Sequence, residues 1–288
     1  MKRTITLLSL LGVLVLWSTA GFSDQWQDTL HRSVPVTTEN ALNIEIEYAL
    51  GKFSLMPGPE DSAFVVDLRY DETLFDPGVD YEIRDGIGYL AVESFHERKD
   101  QNFNWDDHDG SRWDVRFNNK LPTEFALEIG MGEGILDLGG AKITGIHVEN
   151  GLAETELDFS SPNATTLELM KFETGLGKFR AKNLMNARFE ELDFECGLGA
   201  ATLDFHGTGL NRCSADLSVG LGSITVILPA DLGVRVDVDK SFMSSVSFDS
   251  DFKKHQGDYY TSNWNDAKRR MKIDLEVGLG SASVEILP

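Results

Sequence analysis

The sequence predicts an all-β fold, a β-solenoid of about 22-residue, two-strand repeats closed at its amino-terminal side by a β-hairpin cap. Three observations predict it. One pattern recurs around a glycine turn, inward and outward positions alternate on both sides of each turn, and no long amphipathic helical pattern occurs anywhere in the chain.

The repeat occupies Ile44–Pro57, Phe125–Leu138, Ile146–Phe159, Met170–Asn183, Leu192–Phe205, Ala215–Leu228 and Ile273–Ile286. The turns read Ala49-Leu50-Gly51, Gly130-Met131-Gly132, Gly151-Leu152-Ala153, Gly175-Leu176-Gly177, Gly197-Leu198-Gly199, Gly220-Leu221-Gly222 and Gly278-Leu279-Gly280. From Gly130 to Gly220 they are spaced 21, 24, 22 and 23 residues apart. Counting back one, three and five from a turn gives Tyr48, Ile46, Ile44, or Ile129, Leu127, Phe125, or Val277, Leu275, Ile273. Counting forward two, four and six gives Ile224, Val226, Leu228, or Ala201, Leu203, Phe205. Period-two alternation means strands with one buried face, so each repeat is strand, turn, strand. The apolar residue between the glycines is expected to fold back and plug the end of the core. One unit cannot bury its own face, but stacked units can. An antiparallel meander or sandwich with the same inward residues stands as the second reading, because parity does not separate the two.

Gly233–Ser250 reads as a further rung carrying Val234, Val236 and Val238, with Lys240-Ser241-Phe242 in place of the glycine turn. Residues 251–270 leave the pattern as an arm. Upstream, Ala63–Tyr70, Val79–Arg84 and Gly88–Phe95 are punctuated by Asp76-Pro77-Gly78 and Asp85-Gly86, the signature of hairpins capping a repeat stack. Glu97–Gly110 is polar and reads as a loop.

The first residues set the compartment. Lys2 and Arg3 precede the apolar run Ile5–Trp17 and the small residues Ser18, Thr19, Ala20 and Gly21, the order of a secretory signal. The division expected is a signal at 1–23, an amino-terminal β region at 24–112 and the repeat array at 113–288. No cysteine lies near the cleavage region, so no lipobox is present. A periplasmic or extracellular location follows, with no membrane span left after cleavage. With 26 basic and 47 acidic residues the net charge is −21, which opposes nucleic-acid binding and adhesion to anionic lipid.

The two cysteines are Cys196 and Cys213. Cys196 precedes its turn by one residue and Cys213 precedes the next by seven, an offset of six residues or about 20 Å along a strand. A disulfide needs Cα atoms within ~7 Å, so two buried free thiols are expected.

No chemistry of known spacing emerges. The histidines His31, His96, His108, His147, His206 and His255 form no HExxH or HxH pair, there is no GxSxG elbow, and the glycines belong to the turns; no enzyme activity and no cofactor are expected. Three features remain. An outward column two residues before each turn includes Glu128, Glu149, Glu173 and Glu195, a ridge for divalent cations or a basic partner if the carboxylates are not simply solvated. Asp106, Asp107 and Asp109 offer oxygens for Ca²⁺ but lack the EF-hand spacing, and a plain acidic loop is the simpler reading. Tyr259, Tyr260 and Trp264 sit among Lys253, Lys254, Lys268, Arg269 and Arg270, as a partner-binding arm or as packing across the solenoid end.

Ile44–Gly58, the stretch from Tyr70 to Phe75 and Pro77, the strand Trp113-Asp114-Val115-Arg116 and the entry Leu121-Pro122 resemble the bacterial toast-rack family. Leu232–Ser247 and Ile273–Leu287 are similar to the LiaF-like cell-wall-antibiotic response domain. The resemblance implies an extracytoplasmic β-repeat fold and little chemistry. LiaF-like proteins are associated with restraining an envelope-stress sensor kinase, yet they carry several membrane helices that this chain lacks. The expected function is a non-catalytic envelope protein with a binding or scaffold role, its partner an envelope protein or a second copy. A self-associating adhesin-like surface protein and, behind it, a carbohydrate-active hydrolase are the alternatives.

Overall fold

A computed structural model describes residues 28–72, 74–95 and 111–288. The expected signal at 1–23 and the aspartates 106, 107 and 109 lie outside the described residues.

Each repeat forms one long strand bent at its glycine corner. These are β2 (Ala41–Pro57), β7 (Thr123–Asp137), β8 (Ile143–Asp158), β9 (Leu167–Lys182), β10 (Phe189–Asp204), β11 (Arg212–Pro229) and β16 (Arg269–Leu287). They stack parallel and in register in the order β2-β7-β8-β9-β10-β11-β16, so the solenoid reading holds against the antiparallel one. Like inward positions therefore sit directly above one another. Leu127, Val148, Phe172, Phe194, Leu217 and Leu275 form one buried column before the corner, and Leu136, Leu157, Ala181, Leu203, Val226 and Val284 form another after it. The two columns face each other and make the core. Rings interleave within it, Phe179 lying 5.4 Å from Phe172 and 5.6 Å from Phe194.

The last strand is not the last rung. β16 inserts between β11 and β12 (Leu232–Lys240), and the rung made by β12 and β13 (Ser245–Phe248) closes the stack. Sterics account for this. A Cβ on Gly280 would lie 1.9 Å from the carbonyl oxygen of Gly222, so glycine there lets β16 stack closely on β11. The corner Lys240–Ser244 has no glycine and can only terminate the array. The other end is also split. β5 (Ile87–Phe95) and β6 (Ser111–Phe117) run parallel to the first and second halves of β2. There β1 (Asp28–Pro35) and β3 (Ser62–Tyr70) pair antiparallel and extend the sheet past β6, while β4 (Asp76–Arg84) forms a hairpin with β5. β6 crosses the expected 112/113 division without a break.

One sequence expectation is overturned at the corners. The residue between the glycines does not plug the core: Leu152, Leu176, Leu198, Leu221 and Leu279 are 42 to 48% exposed. The core end is already filled. Tyr48, Ile129, Asn150, Thr174, Cys196, Val219 and Val277 occupy the position just before the corner, and Phe53, Thr155, Phe179, Ala201, Ile224 and Ala282 the position just after it. Even the polar members are satisfied, with Thr155 Oγ1 donating to Asn150 Oδ1 at 2.7 Å and Asn150 Nδ2 to Thr174 Oγ1 at 3.0 Å. With that volume taken, the corner side chain is forced outward.

The thiols stay apart as expected. Cys196 pairs in register with Val219, six residues beyond Cys213, and both cysteines are free. Cys213, second residue of β11, is only half-buried rather than buried. Its burial nevertheless pushes the thiol up to about 12, against a smaller opposing pull from Arg269.

Candidate functional site

Parallel in-register stacking turns each outward repeat position into a straight column with members about 4.8 Å apart. Two such columns, one just before the corner and one at it, carry the candidate chemistry.

The first lies two residues before the corner. Glu93, Glu47, Glu128, Glu149, Glu173, Glu195, Ser218, Glu276 and Asp239 are successive register partners. The predicted ridge Glu128, Glu149, Glu173 and Glu195 is thus brought together, on the outer face. Like charges at this spacing repel by about 1 kcal/mol in water. The offset comes from the neighbouring column, four residues before the corner. His147 Nε2 stands 3.5 Å from Glu149 Oε1 and 3.4 Å from Glu173 Oε1, and Lys171 Nζ is ion-paired to Glu173. The ammonium of Lys171 is the main cause holding the Glu173 carboxyl below its usual range. His147, Glu149 and Glu173 each present one atom that could ligate a metal, within 4.8 Å of one another, but Lys171 already neutralises one of the three. Histidine spacing along the chain could not show this trio, since it forms across two strands.

Further along the same column the cations give way to acids. Asp193, Asp216, Asp274 and Asp237 are register partners on β10, β11, β16 and β12. With Glu195, Glu276 and Asp239 they make a continuous carboxylate face; sequence reasoning places Glu195 and Glu276 in the outward column but misses the four aspartates beside it. Burial, then the facing Asp274 carboxylate, pushes the Asp216 carboxyl above the ordinary range. Lys272 and Arg235 border the face one position further from the corner, and Arg235 is taken by Asp258 at 2.7 Å.

The second column is the corner itself. Leu50, Met131, Leu152, Leu176, Leu198, Leu221 and Leu279 occupy it on successive rungs. Phe242 and Met243, 96% and 62% exposed, extend it at the β12–β13 corner, where Ser241 N donates to Val277 O at 3.2 Å. The result is an exposed apolar ridge with an acidic face on one side. On its other side the charges cancel in pairs or are absent: Lys52 with Glu133 at 3.3 Å, Lys178 with Glu154 at 2.5 Å, then Ala200, Ser223 and Ser281.

The aromatic arm lies against the end rung. β14 (Lys253–His255) and β15 (Asp258–Tyr260) form a hairpin on β12. Tyr259 stacks on Phe248 at 4.0 Å, and Tyr260 meets Trp264 edge-on at 5.8 Å with Arg270 over the indole. The three aromatics are packed across the solenoid end. Among the described residues no helix is long and apolar enough to cross a membrane.

Residues 23–182, more than half of the chain, match the family described as the N-terminal domain of toast_rack, DUF2154. The LiaF-like resemblance of the carboxyl-terminal rungs lies beyond that match. No curated protein matches the chain. Among solved structures the chain is similar to a proposed cell adhesion protein from Clostridium sporogenes, at 19% identity and TM-score 0.46, covering 90% of this chain and 99% of that one. A proposed adhesin from Bacteroides fragilis (12% identity, TM-score 0.28, 90% and 97% covered) and a proposed lipid binding protein from Parabacteroides distasonis (12%, 0.34, 91% and 98%) are similar at greater distance.

Proposed function

The chain belongs to the toast-rack family, and from that premise we propose that it is a non-catalytic, exported envelope protein that binds a partner along the corner ridge of its solenoid, in a scaffold role linked to cell-wall stress. The observation that carries this reading is the ridge of leucines, extended by Phe242 and Met243, which the fold holds in a straight exposed line. Contiguous apolar surface bordered by polar residues marks interaction sites on soluble proteins. The acids are compatible with the same reading, since they repeat along columns at rung spacing beside the ridge.

The test is site-specific photo-crosslinking in living cells, with the crosslinker in place of Leu198 on the ridge or Glu154 beside it, with and without a wall-active antibiotic. Capture of one envelope protein from position 198 alone, changing with the drug, is the expected result. Capture of only further copies of the chain would replace the scaffold reading with a self-associating, adhesin-like surface protein. Equal capture from both positions, or none, would refute the ridge as a binding surface.

A further inference from the structure

Resting on the reading that the ridge is a binding surface, we propose that its partner is a cationic amphipathic helical segment, with the helix lying along the ridge and its basic flank over the carboxylate face. The geometry is set by the rungs. From Leu50 to Phe242 the ridge has eight positions, the first two of them (Leu50 and Met131) half-buried and the rest exposed, which at ~4.8 Å per rung span about 34 Å. A helix of roughly 20 residues has about that length. On the acidic side of the ridge the nearest carboxylates are three residues back along the strand, at Glu195 from Leu198 and at Glu276 from Leu279. At ~3.3 Å per residue they stand about 10 Å from the ridge line. A helix seated on the leucines reaches about 5 Å to either side of the ridge line, so extended basic side chains on one flank span the remaining distance to the acids.

Charge complementarity selects among the other occupants. A second copy would bring the same acidic face and a net charge of −21 against its like, and anionic lipid would be repelled. Simple cations would use the carboxylates but leave the leucines exposed. Only a partner with an apolar stripe beside a basic one satisfies both surfaces. The face offers it Asp193, Glu195, Asp216, Asp274 and Glu276 on three neighbouring strands.

Fluorescence anisotropy of the purified protein tests this with three labelled 22-residue probes: a Leu/Lys amphipathic helix, a Ser/Lys peptide of equal charge and a Leu/Glu helix. The Leu/Lys probe is expected to bind at least tenfold more tightly than either control at 0.15 M NaCl. The triple variant Leu176→Ser, Leu198→Ser, Leu221→Ser should weaken it at least tenfold. The variant Glu195→Gln, Asp216→Asn, Asp274→Asn should weaken it and flatten its salt dependence. Both variants keep the core, and circular dichroism verifies that they fold. Equal binding of the Ser/Lys probe, no binding of the Leu/Lys probe, or unchanged affinity of the leucine variant would each overturn the proposal. Sedimentation of the peptide-free protein separates the two levels. Self-association abolished by the leucine variant would overturn the cationic partner while leaving the ridge as a binding surface, whereas absent crosslinking from position 198 removes the ridge itself.

Discussion

Substituting alanine at the second glycine of one corner and at the first glycine of the neighbouring corner should have opposite severities. At Gly222 an added Cβ would sit 2.0 Å from the carbonyl oxygen and 2.9 Å from the amide nitrogen of Gly199 on the rung below. A carbon and a carbonyl oxygen approach to about 3.3 Å at closest, so the rungs must part by more than 1 Å there. Displacement of that size removes roughly two to four inter-strand hydrogen bonds, each worth about 0.5–1.5 kcal/mol net. Gly222→Ala is therefore expected to cost about 2–4 kcal/mol. At Gly197 the Cβ would lie 3.0 Å from the Gly175 carbonyl oxygen, a contact relieved by a few tenths of an ångström. The stiffer unfolded chain returns about 0.4–1 kcal/mol, so Gly197→Ala should be near neutral. Neither glycine has a positive φ, so the contrast isolates close packing from backbone strain. Urea unfolding followed by circular dichroism gives the two values, and hydrogen exchange at the β10–β11 corner shows where the loss occurs. A cost at Gly222 below that at Gly197, or under about 0.5 kcal/mol, would refute the stacking argument.

Three further outcomes follow from single side chains. Asp216→Asn should raise Tm at pH 7 by about 1–2 °C, from the ~0.2–1 kcal/mol of a like-charge cross-strand pair. Because the folded-state pKa is raised, the wild type regains that stability as pH falls through it, and the difference should vanish near pH 3; a constant difference would contradict the carboxylate ladder. Glu39 titrates the other way. Burial acts to raise its pKa, but the amides of Thr37 and Thr38 at 2.9 Å and the hydroxyl of Tyr81 at 2.9 Å donate to the carboxylate and bring it below its usual value. Glu39→Gln should cost about 1–3 kcal/mol at pH 7 and progressively less as pH falls below the ordinary glutamate value, which a pH series of urea midpoints would read. Asn163 joins three successive connections, its Oδ1 accepting from Ile143 N at 2.8 Å and its Nδ2 donating to Ile143 O at 2.9 Å and Ala187 O at 3.2 Å. Asn163→Leu leaves those buried groups unpaired and should cost at least 2 kcal/mol; a neutral result would show that the connections do not depend on it.

The sequence by itself determined the rung. Period-two alternation is a property of a single strand, so the inward sets of Ile129, Leu127 and Phe125 or Ile224, Val226 and Leu228 were readable without any knowledge of neighbours. The same counting separated Cys196 from Cys213 and placed Glu128, Glu149, Glu173 and Glu195 in one outward column. Family motifs in the first half pointed the same way. What alternation does not contain is which strand lies beside which, because pairing is decided by contacts far apart in the chain. Parallel stacking, the insertion of β16 between β11 and β12, and the meeting of His147 with Glu173 on the next strand all depend on it. So does the acidic face, since Asp274 joins Asp216 only through that insertion. The outward turn of the corner leucines was hidden for a related reason. Which way a residue at a bend points depends on whether the space inside is already full, and here Ile129, Phe179, Val219 and Ile224 fill it.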